Sequence, residues 1–256
     1  VPQLVRSSLL RGFGLFVLLL GHLAAVVYFY PLFNEQKGAL LQLAEGMGRV
    51  LAQDAKLASL TEWGYFSSQQ FFKFANTLGT GAAVVFAAGA VAGETQGGTL
   101  EIYLARPVSR ARLFAERWLA GALALIVPLV ASSALIVPLA AVLDVEIVTS
   151  TEQMVRAACY QSVFLLMFYS AAYAVSVFVV RALTVVLSLL FVTIGMYALY
   201  LVPGANEWSI YQWTDVQTFV KLANHWASPT QWARPTIGAV SFTALAWFGF
   251  RRRLPY

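Results

Sequence analysis

The side chains that could do acid–base, nucleophilic or metal chemistry in this chain are His22, His225, Cys159 and twelve carboxylates, and their spacing assembles no reaction. His22 sits in the middle of an apolar run, where a neutral ring hydrogen-bonded inside a helix bundle is the expected state. His225 and Asp215 share one polar segment and could meet, yet most hydroxyls that would complete a Ser/His/Asp arrangement lie in apolar runs far from them. Cys159 has no His, Cys or carboxylate neighbour at ligand spacing, and Met47, Met154, Met167 and Met196 form no copper-type cluster. The patterns GxxxxGK[ST], HExxH, GxSxG and CxxC are absent, so neither a phosphate loop nor a zinc-protease or nucleophile-elbow chemistry is read here. A membrane-embedded enzyme is therefore the third-ranked class of function.

The stretch with a usable pattern is Gly93–Arg112, GETQGGTLEIYLARPVSRAR, which carries two glutamates, three arginines, three glycines and one proline between two long apolar runs. Thr99 is placed to cap a short helix starting at Leu100, with Glu101 near its positive end. Leu100, Tyr103 and Leu104 would form its apolar edge. Arg106-Pro107 stops it, because the residue before proline avoids helical geometry. Ser109 can then cap the helix that follows. The expected product is a short helix parallel to the membrane, held between two rigid spans. Arginines binding anionic headgroups are the plainer alternative for such a loop.

Composition says what must hold this loop. The chain is 59% hydrophobic and 11% charged, against about 25% charged in soluble domains. That excess cannot be hidden in a soluble core of 256 residues, so an all-α membrane protein is expected. A span needs about 20 apolar residues. Six are read: 12–30, 71–92, 113–143, 155–180, 182–202 and 229–250, with the first lacking a small-residue cleavage site and so retained. Between them lie two outer segments, 31–68 and 203–228, and the loop 93–112. Within the first, Leu40, Leu43, Ala44, Met47, Val50 and Leu51 fall at helical spacing opposite Glu45, Arg49, Gln53 and Lys56, predicting an amphipathic surface helix. In the second, Trp208, Tyr211, Trp213 and Trp226 predict short helices at headgroup level. Ser228-Pro229-Thr230-Gln231 reads as a capped helix start, and Thr149 with Glu152 as a capping box. Pro128, Pro138 and Pro235 predict kinks. Gly89 and Gly93 make a GxxxG, a hint of close helix packing.

Six spans put both termini on one side. That side holds Arg6, Arg11, Arg106, Arg110, Arg112, Arg117, Arg181 and Arg251 to Arg253 against Glu94, Glu101 and Glu116. The other side is acidic on balance, so the termini and the 93–112 loop are expected in the cytoplasm. The net charge of +5 thus sets topology and does not point to nucleic acid. The spans carry almost no charge, which disfavours an ion-coupled carrier. The hydroxyls of Tyr169, Tyr173 and Ser176 are candidates for a polar transport path.

The order GETQGGTLE followed by LARPVSR resembles the GE-x-x-x-GTLE-x-x-L-x-x-PVSR pattern of permease subunits in type-2 ABC transporters (the ABC-2 family). Sequence detail covers about 93–117, and the spacing of spans is similar over the whole chain. The resemblance implies that this segment is a coupling helix docking on a separate cytoplasmic ABC ATPase, with Glu94, Thr99, Leu100, Glu101, Arg106, Pro107, Ser109 and Arg110 as coupling residues. It further implies two ATPase copies and a second permease copy in a homodimer or related heterodimer. ATP and Mg would be bound by the ATPase and no cofactor by this chain. The setting would be a bacterial or archaeal plasma (inner) membrane, and the task export of an amphipathic or lipid-linked substrate. The alternative it implies is a mechanotransmitter that passes ATP-driven motion to an extracytoplasmic partner, using 31–68 and 203–228.

Overall fold

The computed structural model describes residues 2–46, 61–104 and 108–252, with side chains described for 6–38, 61–100, 102 and 108–252. Among the described residues the chain is all helical, without strands. The helices are α1 (Pro2–Gly46), α2 (Glu62–Ser67), a π-helical stretch α3 (Ser68–Gly79), α4 (Thr80–Ala90), α5 (Ala92–Gln96), α6 (Thr99–Leu104), α7 (Arg110–Ala134), α8 (Ile136–Val142), α9 (Thr151–Phe178), α10 (Ala182–Leu201), α11 (Val216–Lys221) and α12 (Pro229–Arg252). Short 3₁₀ turns, Asn206–Trp208 and Ile210–Thr214, lead into α11.

Five stretches among the described residues are long and apolar enough to cross a membrane: Arg6–Gly38, Glu62–Gln96, Arg110–Ala134, Thr151–Phe178 and Ala182–Leu201. The expected sixth, α12, has the length, 24 residues, but Thr230, Gln231, Arg234, Thr236, Ser241 and Thr243 dilute its apolar character. It lies along α9, its most extensive partner. α9 is the axis of the bundle, packed by α12, α4 and α7, and its most apolar stretch is 72% buried, against 11% for α10. A helix apolar on every side belongs at such a centre. α1 turns Leu15, Leu19, Leu23 and Val27, one residue per turn, into the core and lies along α7. Close approach uses absent side chains: a Cβ on Gly12 would stand 3.3 Å from the Ala124 carbonyl, and one on Gly121 2.7 Å from the Tyr169 ring.

Local signals met the structure unevenly. Ser228 and Gln231 exchange the expected capping bonds, 3.3 Å and 2.8 Å. The predicted box at Thr149 and Glu152 is displaced by one residue: Ser150 and Gln153 form it. Thr149 is instead engaged through its backbone N–H, which donates to Glu62 Oε1 at 2.6 Å. α7 and α8 part at Leu135, whose neighbour Ala134 is the residue four before Pro138, where the ring displaces the carbonyl. Pro128, Pro31 and Pro235 interrupt no helix. The surface helix expected after Glu35 does not begin anew: α1 runs unbroken through Pro31 to Gly46, and Met47 to Lys56 lie outside the described residues. The GxxxG does not seat a neighbouring helix backbone either. Gly89 makes room for the Arg11 guanidinium, 3.3 Å from its would-be Cβ. The second outer segment does form short, partly buried helices: Tyr211 and Phe219 are buried while Trp208 and Trp226 are exposed.

Candidate functional site: the loop between the second and third spans

The second apolar stretch, Glu62–Gln96, is broken at Val91, whose φ of −123° and ψ of −58° leave the helical region. The break frees backbone donors at the start of α5, and the sequence supplies acceptors. Ser176 Oγ on α9 accepts from the Ala92 N–H at 3.0 Å. Thr95 donates its hydroxyl to the Val91 carbonyl at 2.8 Å. At the far end of α5, Gln96 Oε1 accepts from the Ala182 N–H at 3.3 Å, reaching the first residue of α10.

Glu94 leaves α5 on its inner side. Its Oε2 receives both Nε and Nη2 of Arg117 at 2.7 Å. The Arg117 side chain is only 3% exposed and Glu94 19%, so this is a largely buried ion pair, worth keeping intact more than it is worth as net stabilisation. Arg117 Nη1 also donates to the Leu113 carbonyl at 3.4 Å, and the Tyr169 hydroxyl donates to the Arg117 carbonyl at 3.4 Å. A polar cavity of about 250 Å³ lies beside the pair, bounded by Ser7, Ser8, Arg11, Thr99 and Gly121 among others.

The chain then reverses at Gly97-Gly98. Gly98 has φ +68°, a conformation that costs a residue with a Cβ. Because the turn is this tight, Thr99 is already the first residue of α6 and does not cap it. Its hydroxyl points back and donates to the Glu94 carbonyl at 3.1 Å. Leu100 is 2% exposed and seats α6 against the bundle, whereas Ile102 is 59% exposed. α6 is described as far as Leu104, so the stop expected at Arg106-Pro107 falls outside the described residues. Arg106 and Pro107 lie outside the described residues, as do the side chains of Glu101, Tyr103 and Leu104. Ser109 caps α7 as expected, accepting from the Arg112 N–H at 3.3 Å. Arg110 donates to the Arg251 carbonyl at 2.6 Å, which ties the loop's exit to the end of α12.

The sequence-derived residues therefore separate by position. Leu100 is a buried seat, Glu94 faces inward, Ser109 holds a helix start, and Ile102 and Val108 are exposed. Tyr169, Tyr173 and Ser176 are all fully buried in the core. Two of their hydroxyls engage Arg117 and Ala92, and that of Tyr173 has no hydrogen-bond partner among the described residues. Sequence reading placed Arg117 among the basic residues of the membrane edge and missed its burial. The available signal was its position eight residues beyond the Ser109 cap, two turns into an apolar helix, where a cation needs a counter-ion.

A search of curated proteins gave no match. A family model described as ABC-2 family transporter protein matches residues 1–248. Five helices among the described residues that are long and apolar enough to cross a membrane agree with that match. The chain accordingly belongs to the ABC-2 transporter family, as a multi-pass membrane permease component and not as the ATPase.

Proposed function

We propose that this chain is the permease subunit of an ATP-driven exporter and that α5–α6 is the lever on which a separate cytoplasmic ATPase acts. The observation that carries the reading is the anchoring of that loop. Its base is bonded to α7 through Glu94–Arg117, to α9 through Ala92–Ser176 and to α10 through Gln96–Ala182. Its tip presents Ile102 outward. A push on the tip is delivered to three spans at once. In this reading Thr99, Leu100, Ser109 and Arg110 hold the lever, Glu94 transmits from it, and Glu101, Arg106 and Pro107 meet the ATPase.

The rest of the proposal is supported by the charge asymmetry of the sequence and by the family resemblance. α12 is the sixth span, both termini are cytoplasmic, and the membrane is the plasma membrane of a bacterium or archaeon. Two permeases, identical or related, work with two ATPases that hold ATP and Mg. The substrate is amphipathic or lipid-linked. Tyr169, Tyr173 and Ser176 belong to a path that is shut here, and opening it requires α9 to part from α5.

A second reading, transmission of motion to an extracytoplasmic protein, draws on the outer face. Glu62 there accepts from Tyr30 and from the Val148 and Thr149 N–H groups, Trp63 donates to the Phe219 carbonyl, and Arg156 donates to the Leu222 and Ala223 carbonyls. The result is a braced platform displaying Trp208.

Purification from native membranes in mild detergent, followed by mass spectrometry, tests both. A stoichiometric ATPase that is lost when Glu101 and Arg106 are both replaced supports the permease reading. Recovery of an active or stably oligomeric chain without an ATPase overturns it. An outer protein retained in the complex favours the second reading.

A further inference from the structure

Among the described residues a cavity of about 860 Å³ lies not in the core but along the flank, between α1 and the α3–α4 stretch. Its walls are two helical stripes. From α1 come Arg11, Gly14, Leu18 and His22, one residue per turn. Opposite stand Gln69, Lys73, Thr77, Gly81 and Val85, again one per turn. Chemistry changes along the groove. Its middle is apolar or bare: Leu18, Gly81, Val85, and Gly14, where a Cβ on either glycine would meet nothing within 4 Å. One end is polar and cationic. Lys73 Nζ donates to Gln69 Oε1 at 3.3 Å, and His22 Nε2 lies 3.3 Å from the Gln69 carbonyl with its ring stacked on Phe74. The other end holds Arg11.

Charge at the Arg11 end is in surplus. Arg11 and Arg117 both border the cavity that holds Glu94, and Glu94 is already committed to Arg117. Among the described residues no acidic side chain lines the groove. The separation of the two cationic ends also matters. Arg11 lies against Gly89, sixteen residues beyond Lys73, which is at most about 24 Å along the helix, since its first six residues are π-helical and rise less. The shortfall from the hydrocarbon core of a bilayer, about 30 Å, is within the reach of a long cationic side chain that extends toward the interface. A groove that is cationic at both interfaces and apolar between them complements one kind of occupant: a negatively charged headgroup carrying an alkyl chain.

We propose that the α1/α3–α4 groove binds an anionic amphipath from the bilayer, with its headgroup at Arg11 and its chain along Gly14, Leu18, Gly81 and Val85. Lys73, with Gln69 and Thr77 beside it, is the receiving headgroup station at the opposite face. This rests on the export reading and its topology, and gives that reading a substrate class: a phosphate- or carboxylate-headed lipid-like molecule. The two bare glycines are what keep the groove open, since nothing in the structure requires them for packing.

The test is photo-crosslinking in nanodiscs, using phosphatidylglycerol and phosphatidylcholine that carry the same diazirine-labelled acyl chain. Labelled sites are mapped by mass spectrometry on the full-length protein without any ATPase. Expected is at least about fivefold more labelling of the Leu78–Val85 region by phosphatidylglycerol, with equal labelling by the two lipids around the exposed Val240 on α12. Arg11→Gln should bring the groove down to the phosphatidylcholine level. Gly81→Leu should abolish groove labelling by both lipids while leaving thermal stability unchanged or raised, because leucine is the better helix former and the space is empty. Equal labelling by the two lipids, or labelling that survives Gly81→Leu, overturns the proposal. So does efficient disulfide linking of two copies through Gly81→Cys, which would make the groove a protein interface. ATPase capture is read separately, so loss of the lipid preference and loss of the permease reading are distinguishable.

Discussion

Arg117 places both Nε and Nη2 at 2.7 Å from the same carboxylate oxygen of Glu94, across a separation of 23 residues that takes in all of α6 and the end of α5. The pair closes the loop at its base, inside the bundle. Removing one partner strands the other in a poorly solvated place, which costs more than the intact pair contributes. Glu94→Ala is expected to destabilise the protein by about 3–5 kcal/mol, and Glu94→Ala combined with Arg117→Leu by clearly less. Thermal unfolding in one detergent, read for the single and double variants, checks this. A double variant that loses the sum of the two single losses would mean that the two residues act independently.

On the tip of the loop the expectation reverses. Ile102 is exposed, so Ile102→Glu should change permease stability by no more than about 0.5 kcal/mol. ATPase capture should fall about tenfold, or about 1.4 kcal/mol of binding. The measurement is ATPase recovered per permease in a quantitative pull-down.

Gly121 faces the Tyr169 ring so closely that a Cβ would lie 2.7 Å from its Cζ. Tyr169 is fully buried and cannot swing aside into solvent. Gly121→Ala should therefore cost about 1–3 kcal/mol by overpacking. Gly14→Ala, made in open space, should be neutral or stabilising. A pair of melting curves separates the two glycines.

The outer face turns on Glu62, whose Oε1 accepts from the Val148 N–H at 2.8 Å and the Thr149 N–H at 2.6 Å. Thr149 is buried, so Glu62→Ala leaves its donor without an acceptor and should cost about 1–3 kcal/mol. Hydrogen exchange should rise at Val148 and Thr149 and stay unchanged in α5–α6. Protection that persists at Thr149 would contradict the assignment.

Much of this arrangement was legible before any coordinates, and the reasons differ by residue. Ser109 and the Ser228/Gln231 pair were readable because a cap is local chemistry within four residues. The Thr149/Glu152 box slipped by one because two adjacent residues, Thr149 and Ser150, both had capping side chains, and the distant Glu62 decided between them. Thr99 was misread as a cap because the left-handed turn at Gly98 moved the helix start by one position. Burial of Glu94 and Arg117 was hidden by counting both as membrane-edge charges, although the depth of Arg117 in its helix pointed inward. The continuity of α1 past Pro31 was not visible, since a polar composition after residue 34 reads as departure from the bilayer and says nothing of whether the helix stops. The flank groove depends on two stripes from segments some sixty residues apart, and no local pattern pairs them.

α1 extends 45 residues without a break, so it measures about 68 Å, more than twice the roughly 30 Å thickness of hydrocarbon it has to cross. A rod of that length is a geometric amplifier. If it stays clamped where Gly12 meets Ala124 and Arg11 meets Gly89, a rotation of about 10° sweeps the far end, about 51 Å away, through about 9 Å, from the rise per residue alone. Small adjustments among buried helices on one side of the bilayer are thus read out on the other as a displacement comparable to the spacing between packed helices.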